Sequence, residues 1–396
     1  MTTASQKRVL TMNRGSSTLK SALYEAENGE KLLLAIGMDQ GGGSGGRLKI
    51  ADPGGTNLLD TGIAKAGSDD ALEAMLVWLG ERGFLAGLAA VGHRLVQSGP
   101  RHKKPERITP KFLAEIQKLV PLDPDHLPAA IAGIRFFGQK FPEISQVACF
   151  DTAFHSTLPN VARRYALPRG LSDEGIVRYG FHGLSYEYVM GELHLLEGAL
   201  ADERVIIAHL GSGASMVAVK QGKSIDTSMG FTPLEGLVMG TRSGDVDPGV
   251  LLYLIREKKM SAKEVDALLN KESGLLGISG KTADVRVLQG EALRDAHAAE
   301  ALDVFCYRAK KYIGAYAAAL GGLDVLVFTG GIGEHAAQIR RRICEGLEFL
   351  GIQLDGPRNE ANADVISPAN GGVKVRVLKT NEDLMIARHT VSVLGW

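Results

Sequence analysis

The sequence predicts an α/β protein of two similar domains, and three observations lead to this prediction. The chain of 396 residues exceeds the usual size of one domain, about 100–200 residues. One stretch of its first half is repeated in its second half. Several short apolar segments end on polar residues, which is typical of buried strands in open α/β sheets.

The internal repeat aligns residues 8–20 with residues 204–216. Both copies carry a polar residue, a glycine and a serine at matching positions: Asn13, Gly15 and Ser16 in the first, His209, Gly211 and Ser212 in the second. Each copy is predicted to be a β-hairpin with a turn of small residues. Two unrelated hairpins could share such turns, because Gly and Ser are common there. A duplicated fold would instead bring both turns to one anion, which predicts a nucleotide cleft.

Further elements fit two α/β halves. Buried strands are predicted at residues 89–94, 146–151, 324–329 and 373–378. A helix is predicted after residues 330–333, because four apolar residues fall on one of its faces: Ile339, Ile343, Leu347 and Leu350. A last helix is predicted after residues 380–383, whose acidic side chains suit a helix N-terminus, and it could return to the first domain. The glycine-rich residues 41–46 are predicted to be a surface loop.

Composition and charge exclude several classes of protein. Lys+Arg and Asp+Glu both number 45, so the zero net charge offers no basic surface for nucleic acid or anionic lipid. No apolar run approaches the about 18 residues of a membrane span. The widely spaced Cys149, Cys306 and Cys344 are typical of a reducing compartment and of buried positions. We expect a cytoplasmic protein with no nucleic-acid or membrane partner.

Several cofactor motifs are absent from the sequence. The segment before Lys281 is not a P-loop, because position 275 is a leucine where that motif needs a glycine. Residues 211–216 lack the third glycine of a dinucleotide fingerprint, and there is no HExxH zinc motif. The sequence therefore supports neither a Rossmann cofactor nor zinc.

Three isolated side chains, Arg94, His182 and Arg242, stand among glycines and apolar residues. Each alone is typical of a structural ion pair or a buried core histidine. Together they would supply the cationic and hydrogen-bonding groups that stabilise a phosphoryl group in transfer. Asp151 and Glu382 offer the hard oxygen ligands that Mg²⁺ prefers, although either alone could cap a helix or form a turn.

These motifs resemble those of the acetate kinases, a family in the superfamily of sugar kinases, Hsp70 and actin. The resemblance covers nearly the whole chain, through residues 13–20, 92–94, 150–155, 178–183, 229–236, 239–249, 328–334 and 380–382. It implies a two-domain, duplicated actin-like ATPase fold with ribonuclease H-like βββαβαβα cores and an interdomain nucleotide cleft. The implied N-terminal acetate kinase domain is residues 1–152, with the C-terminal helix 384–396 packing back on it. Residues 153–383 would form the nucleotide-binding domain.

The resemblance also implies an activity. A similar protein transfers the γ-phosphate of ATP reversibly to acetate, giving acetyl phosphate and ADP, with Mg²⁺ (or Mn²⁺) and usually as a homodimer. We expect direct in-line transfer, because an ionised carboxylate needs no general base. Domain closure over the substrates would exclude water, with hinges near residues 150–155 and 380–384.

Roles carried over from the family fall on matching positions. Arg94 and Arg242 would bind the acetate carboxylate and the transferring phosphoryl group, and His182 with Arg242 would stabilise the transition state. Asp151 and Glu382 would hold or orient the metal, with Asn13 as a further metal ligand. The acetate methyl pocket would consist of Val96, Leu122, Phe181 and Pro233. The nucleotide would be bound by Asn13, Ser16, Lys20, His209, Gly211, Ser212, Gly213, Gly330, Gly331, Ile332, Gly333 and Glu334.

The chain departs from the family pattern at several positions: Thr18, residues 123–126, Leu184, Tyr186, Ser212 and His335. Ser212 stands where the family usually has Asn, and Tyr186 where it usually has a second His. One alternative is a kinase for propionate or another short-chain acid, which would differ only in pocket volume. The alternative from another class, which the departures would fit, is a catalytically impaired nucleotide-binding regulatory protein.

Overall fold

The computed structural model describes residues 7–15, 18–26, 31–40, 45–63 and 68–396. The chain divides into two compact units, which we call unit 1 and unit 2. Unit 1 comprises Met1–Ala153 and Asn381–Trp396, and unit 2 comprises Phe154–Thr380. Ser16 and most of the predicted loop at residues 41–46 lie outside the described residues.

Unit 1 contains one sheet in the order β5-β4-β3-β2-β1-β6-β8-β7. Its strands are β1 (Arg8–Arg14), β2 (Thr18–Glu25), β3 (Lys31–Gln40), β4 (Gly46–Ala51), β5 (Asn57–Ile63), β6 (Leu88–Leu95), β7 (Glu106–Arg107) and β8 (Ser145–Phe150). Its first helices are α1 (Asp69–Glu81), α2 (Pro110–Gln117) and α3 (Leu127–Lys140). Apolar residues of α1 and α3, such as Met75 and Phe137, pack with Leu10 and Leu23 of the sheet into a buried core. Burying such side chains contributes about 1.5–3 kcal/mol each.

Unit 2 contains a second sheet in the order β11-β10-β9-β12-β13. Its strands are β9 (Val205–Leu210), β10 (Ala214–Lys220), β11 (Lys223–Thr227), β12 (Val325–Thr329) and β13 (Lys374–Val377). Its helices are α4 (Asn160–Arg163), α5 (Arg169–Asp173), α6 (Gly183–Glu197), α7 (Pro248–Arg256), α8 (Ala262–Lys271), α9 (Gly274–Ser279), α10 (Val285–Glu291), α11 (Ala296–Leu320), α12 (Gly330–His335), α13 (Ala337–Cys344) and α14 (Gly356–Glu360). Val205, Val217 and Val325 form part of its core with Leu193 of α6.

The two sheets share one topology. In unit 1, β1 is antiparallel to β2, which is antiparallel to β3, and β1, β6 and β8 run parallel. In unit 2, β9, β10 and β11 are antiparallel neighbours, and β9, β12 and β13 run parallel. Since order and direction agree over five strands, the predicted duplicated α/β fold is confirmed. The repeated segments form hairpins β1-β2 and β9-β10, as predicted.

The prediction of a single helix after residues 330–333 was wrong, because the structure has two shorter helices in this part of the chain. The structure has α12, which begins at Gly330 itself, and then α13, which ends at Cys344. Gly346 follows with φ of 77°, a left-handed conformation that stops the helix. Ile339 and Ile343 are buried on α13, whereas Leu350 lies in a separate short 3₁₀ turn. The prediction extended the helix too far because the apolar spacing in the sequence continues to Leu350, whereas the backbone has left the helical conformation by Gly346.

The C-terminal helix, Glu382–Leu394, belongs to unit 1 and packs against β1, β6 and β8. Asn381 caps it, because its side-chain oxygen accepts a hydrogen bond from Leu384 N at 3.0 Å. Gly92 allows the C-terminal helix to lie close to β6. A β-carbon at this position would lie 2.6 Å from Ile386 Cγ2 and closer still to Thr390 Oγ1. The helix start is therefore held at the carboxyl ends of these strands.

The three cysteines are buried, as the sequence predicted, and all three are free thiols. Across the described ranges, the longest and most apolar helices still fall short of what a bilayer crossing requires.

Candidate active site

The first cluster of predicted site residues lies in unit 1, where three parallel strands end. Asn13 is near the end of β1, Arg94 is near the end of β6, and Asp151 directly follows β8. Glu382, the first residue of the C-terminal helix, completes this group, which we call the Arg94 cluster. Strand order thus explains how residues more than 130 positions apart in sequence come together.

The Arg94 cluster is linked by charge-assisted hydrogen bonds. Arg94 binds Asp151 at two points, with Nε to Oδ1 at 2.8 Å and Nη2 to Oδ2 at 2.6 Å. Its Nη1 donates to Asn13 Oδ1 at 2.9 Å and lies 3.7 Å from Glu382 Oε2. Asn13 Nδ2 donates to the same Glu382 oxygen at 3.0 Å. Burial alone would lower the pKa of Arg94, but the charges of Asp151 and Glu382 outweigh it and raise that pKa.

Asp383, which sequence reasoning did not select, adds a further acidic group beside this cluster. Thr11 Oγ1 donates to its Oδ1 at 3.4 Å. Burial, reinforced by the neighbouring charge of Glu382, raises the pKa of Asp383 to about 6. Its position directly after Glu382 in the motif was the available sequence signal.

The side-chain oxygens of the Arg94 cluster are of the type that binds a hard divalent cation. Asn13, Asp151 and Glu382 present amide and carboxylate oxygens, which are ligands that hard cations prefer. Within the described ranges, no group of three or more His, Cys, Asp or Glu residues is arranged to enclose a metal. Mg²⁺ usually takes one or two carboxylates together with water and substrate phosphates, so the oxygens of Asn13 and Glu382 are of the type that fits such an ion.

The second cluster lies in unit 2 around the glycine turn between β9 and β10. A β-carbon built on Gly213 would lie 3.6 Å from His182 Nε2 and 3.7 Å from Arg242 Nη1. The two predicted side chains therefore converge on one point of the turn. Arg242 is held there because its Nη1 also donates to Pro233 O at 3.0 Å. We call His182, His209, Gly213 and Arg242 the His182 cluster.

The ring of His182 is held on two sides. Its Nδ1 lies 2.8 Å from Ser215 Oγ on β10. Its face stacks on His209, with ring centroids 4.3 Å apart and planes inclined by 19°. His209 Nδ1 in turn lies 2.8 Å from Ser185 Oγ. Neither Ser215 nor Ser185 was selected from the sequence, although Ser215 lies in the repeated segment 204–216 and Ser185 lies between the departures Leu184 and Tyr186.

The backbone that carries His182 is constrained. His182 has φ of 59°, an unusual left-handed conformation for a residue with a β-carbon, at the start of α6. Gly180, with φ of 73°, lies so close to His155 that a β-carbon there would be 2.6 Å from its ring. His155 Nε2 donates to Phe181 O at 3.0 Å. This buried histidine therefore fixes the turn that presents His182.

The predicted adenosine segment follows β12 in the same unit. Gly330 has φ of 76°, and a β-carbon there would lie 2.8 Å from Leu210 O, so only glycine fits. Glu334 Oε1 accepts from Gly330 N at 3.1 Å. The fully buried Arg340 donates to Gly333 O at 2.8 Å and to Glu334 O at 3.1 Å. Arg340, which the sequence did not single out, fixes this segment.

The remaining predicted residues are distributed over both units. Lys20 lies on β2 opposite Asn13, with an exposed side chain. Val96 and Leu122 belong to unit 1, and Phe181 and Pro233 to unit 2. Ser212 O accepts from Gly240 N at 3.0 Å, while Gly211, Gly331 and Ile332 lie in the two glycine segments of unit 2. Ser16 lies outside the described residues.

The duplicated fold, with its clusters of arginine, histidine and carboxylate side chains, defines a kinase-type phosphotransferase. The Acetokinase family matches this chain over residues 8–388. An acetate kinase from Rhodopseudomonas palustris is 47% identical over 388 residues, covering 96% of this chain and 97% of that protein. The chain therefore belongs to the Acetokinase family.

Two solved structures are similar over nearly the whole chain. A propionate kinase from Francisella tularensis has a TM-score of 0.89 at 39% identity, covering 97% of this chain and 98% of that chain. The acetate kinase of Porphyromonas gingivalis has a TM-score of 0.87 at 41% identity, covering 98% of this chain and 100% of that chain.

Proposed function

We propose that the protein transfers the γ-phosphoryl group of ATP reversibly to acetate, forming acetyl phosphate and ADP by direct in-line transfer. The observation that carries this proposal is the convergence of His182 Nε2 and Arg242 Nη1 at Gly213. Hydrogen-bond donors at one point suit the oxygens of a phosphoryl group in transfer. The acceptor carboxylate is ionised near neutral pH, so repulsion between anions, and not proton removal, is the barrier.

Each charged residue has a proposed role in lowering that repulsion. Arg242 and His182 stabilise the transferring phosphoryl group, and an arginine in such a position can contribute about 10³–10⁵ in rate. Arg94 binds the acetate carboxylate, since its guanidinium is always charged and carries five N–H donors, more than its pair with Asp151 uses. Asp151 orients Arg94 through the two hydrogen bonds that join them.

A divalent metal, Mg²⁺ or alternatively Mn²⁺, is proposed to complete the machinery. Asn13 and Glu382 would hold it, and Asp151 would help to orient it. When bound, the ion neutralises charge on the phosphates. The residues themselves prepare the site, because Asn13 and Arg94 fix the Glu382 carboxylate before substrate arrives.

Nucleotide binding is proposed for the glycine segments of unit 2 and for the first hairpin of unit 1. The rigid turn at Gly330, its bond to Glu334 and the support from Arg340 favour a preformed adenosine site. The proposed nucleotide-binding residues are Asn13, Ser16, Lys20, His209, Gly211, Ser212, Gly213, Gly330, Gly331, Ile332, Gly333 and Glu334.

The acceptor pocket is proposed to consist of Val96, Leu122, Phe181 and Pro233. Propionate is the second candidate acceptor, because one structural relative is a propionate kinase. One methylene in a hydrophobic pocket is worth about 1–3 kcal/mol, which is enough to separate the two acids. Initial rates with MgATP and a series of acetate, propionate and butyrate should give the highest kcat/KM for acetate. A propionate value ten times that of acetate would assign the pocket to propionate.

A homodimer is proposed from the surface of α7. This helix buries none of its side chains, and four of its large apolar residues are exposed: Val250, Leu252, Tyr253 and Ile255. Several exposed large apolar side chains on one helix are typical of a protein contact. Analytical ultracentrifugation should show the wild type as a dimer. The Leu252→Glu variant, which places a charge on this surface, should sediment as a monomer. A monomeric wild type would reject the proposal.

A cytoplasmic location is proposed because the three cysteines are free thiols, which is typical of a reducing compartment.

A further inference from the structure

We propose that Tyr186 is a positioning residue that fixes, through Ser215, which ring nitrogen of His182 carries the proton. The inference deepens the proposed function, since it depends on His182 acting as a hydrogen-bond donor to the phosphoryl group. Tyr186 occupies a position where the sequence departs from its family, and its hydroxyl has not been assigned a role.

The geometry links three side chains in a row. His182 precedes α6 and Tyr186 lies one turn later, so both side chains are on one face of the helix. Ser215 Oγ on β10 lies 2.8 Å from His182 Nδ1 and forms a hydrogen bond with the Tyr186 hydroxyl. Ser215 and Tyr186 are both fully buried. We call this arrangement the Tyr186 relay.

The number of protons determines the direction of the relay. Ser215 has one hydroxyl proton and can donate it to Tyr186 or to His182 Nδ1. A phenol, with an ordinary pKa of about 10, is a stronger donor than an aliphatic hydroxyl. Tyr186 therefore donates to Ser215, and Ser215 donates to His182 Nδ1. Nδ1 then accepts, and the proton of the neutral ring stays on Nε2.

The consequence concerns the nitrogen that faces the glycine turn. Nε2 of His182 is the atom near Gly213, beside Arg242 Nη1. A protonated Nε2 can donate to a phosphoryl oxygen, whereas the other tautomer would present a lone pair and repel it. Stacking on His209 fixes the ring plane but not the tautomer. Without the tyrosine hydroxyl, Ser215 could rotate and accept a proton from Nδ1, which would give a mixture of tautomers.

The test compares Tyr186→Phe with Tyr179→Phe. Tyr179 is a matched control, because it is a buried tyrosine whose hydroxyl donates to a residue outside the relay, Gly175 O, at 2.8 Å. The full-length protein is labelled with ¹⁵N-histidine, and the His182 signals are assigned by their absence in His182→Gln. In the wild type we expect Nδ1 with the shift of an unprotonated nitrogen and Nε2 with that of a protonated one. Tyr186→Phe should give averaged shifts, and Tyr179→Phe those of the wild type.

Kinetics provide the second measurement. Tyr186→Phe is expected to lower kcat about tenfold while the KM values for ATP and acetate stay within about twofold, the size typical of a lost orienting contact. Ser215→Ala should have the same effect, and the double variant should be no worse than Ser215→Ala, because both act through one relay.

The outcomes separate the relay from the proposed function. Wild-type protein with the proton on Nδ1, or Tyr186→Phe with unchanged ¹⁵N shifts, would overturn the relay even if the enzyme is active. Additive kinetic losses in the double variant would also overturn it. Wild-type protein that makes no acyl phosphate would refute the proposed function, while the ¹⁵N shifts would still show whether the relay exists.

Discussion

Arg94 and Asp151 form a bidentate ion pair, with distances of 2.8 and 2.6 Å, in which the Asp151 side chain is only 1% exposed. A carboxylate this deeply buried depends on its partner, because desolvation of an unpaired charge is costly. The pair therefore serves stability as well as the proposed acetate binding. Substitutions at Arg94 must be interpreted with both effects in view.

Arg94→Ala is expected to lower the free energy of unfolding by about 3–5 kcal/mol, because it leaves Asp151 buried without its guanidinium partner. Adding Asp151→Asn should restore part of this loss, since the uncompensated charge is then gone. Urea unfolding of the two single variants and the double variant measures the coupling. Arg47→Ala, which breaks an exposed pair with Asp60, is the control and should leave the free energy of unfolding close to that of the wild type, because solvent screens exposed pairs. Strictly additive losses at Arg94 and Asp151 would contradict the expectation.

Arg242→Ala and His182→Ala are expected to lower kcat by about 10³-fold or more, because the proposed transition-state donors are removed. Neither change should abolish cooperative melting, since Arg242 and His182 are only partly buried. Steady-state rates and thermal melts of each variant are compared. Arg286→Ala is a matched control, with a side chain 89% exposed, and should match the wild type in both. Loss of cooperative melting in both site variants would assign them a structural role.

Stability is expected to fall as the pH drops from about 6.5 to 4. Burial lowers the pKa of His155 to about 4, and the Phe181 carbonyl offsets only part of this shift. The unfolded chain then binds more protons than the folded one in this range, so acid favours unfolding. The full contribution, about 3 kcal/mol, is present above pH 6.5 and is lost as the pH approaches 4.

His155→Gln is expected to flatten that pH dependence, because it removes the buried imidazole from unit 2. His297→Gln, at an exposed position of α11, is the control and should keep the wild-type slope. Burial also lowers the pKa of His93 in unit 1 to about 4. Because the His155→Gln variant keeps His93, part of the pH dependence of stability should remain. Denaturation midpoints measured across this pH range test the prediction. If the midpoint of His155→Gln changes with pH as steeply as that of the wild type, the prediction is refuted.

Gly92→Ala is expected to destabilise unit 1 by about 1–3 kcal/mol and to lower activity, because the added methyl group collides with Thr390 and Ile386 of the C-terminal helix. Displacing that helix would move Glu382 from Asn13. Gly133→Ala in α3 is the control, since its β-carbon would meet nothing within 4 Å. It should be neutral or slightly stabilising. Equal behaviour of the two variants in melting and rate would show that the contact at Gly92 has no such role.

The fold was predictable from the sequence wherever local pattern and tertiary structure agreed. Small-residue turns after apolar strands predicted the hairpins β1-β2 and β9-β10, and short apolar segments predicted β6, β8, β12 and β13. The end of α13 at Cys344 was not predictable from periodicity, since Leu347 and Leu350 keep the apolar spacing while Gly346 reverses the backbone.

The site was predictable as a set of residue types but not as a geometry. Motifs selected His182 and Arg242, yet their convergence at Gly213 depends on a left-handed turn supported by His155. The contact between His182 and Ser215 joins residues 33 positions apart across two elements, and no sequence spacing encodes it. The raised pKa of Asp383 likewise depends on burial, which composition does not reveal.

The central claim is that phosphoryl transfer goes directly from ATP to a carboxylate acceptor. The most direct measurement incubates purified protein with MgATP and acetate and determines, in the same samples, ADP and the acetyl phosphate trapped as hydroxamate. We expect equal amounts of both products throughout the time course and no labelled protein with γ-labelled ATP. ADP formed without acetyl phosphate, or ATP bound without any product, would contradict the account.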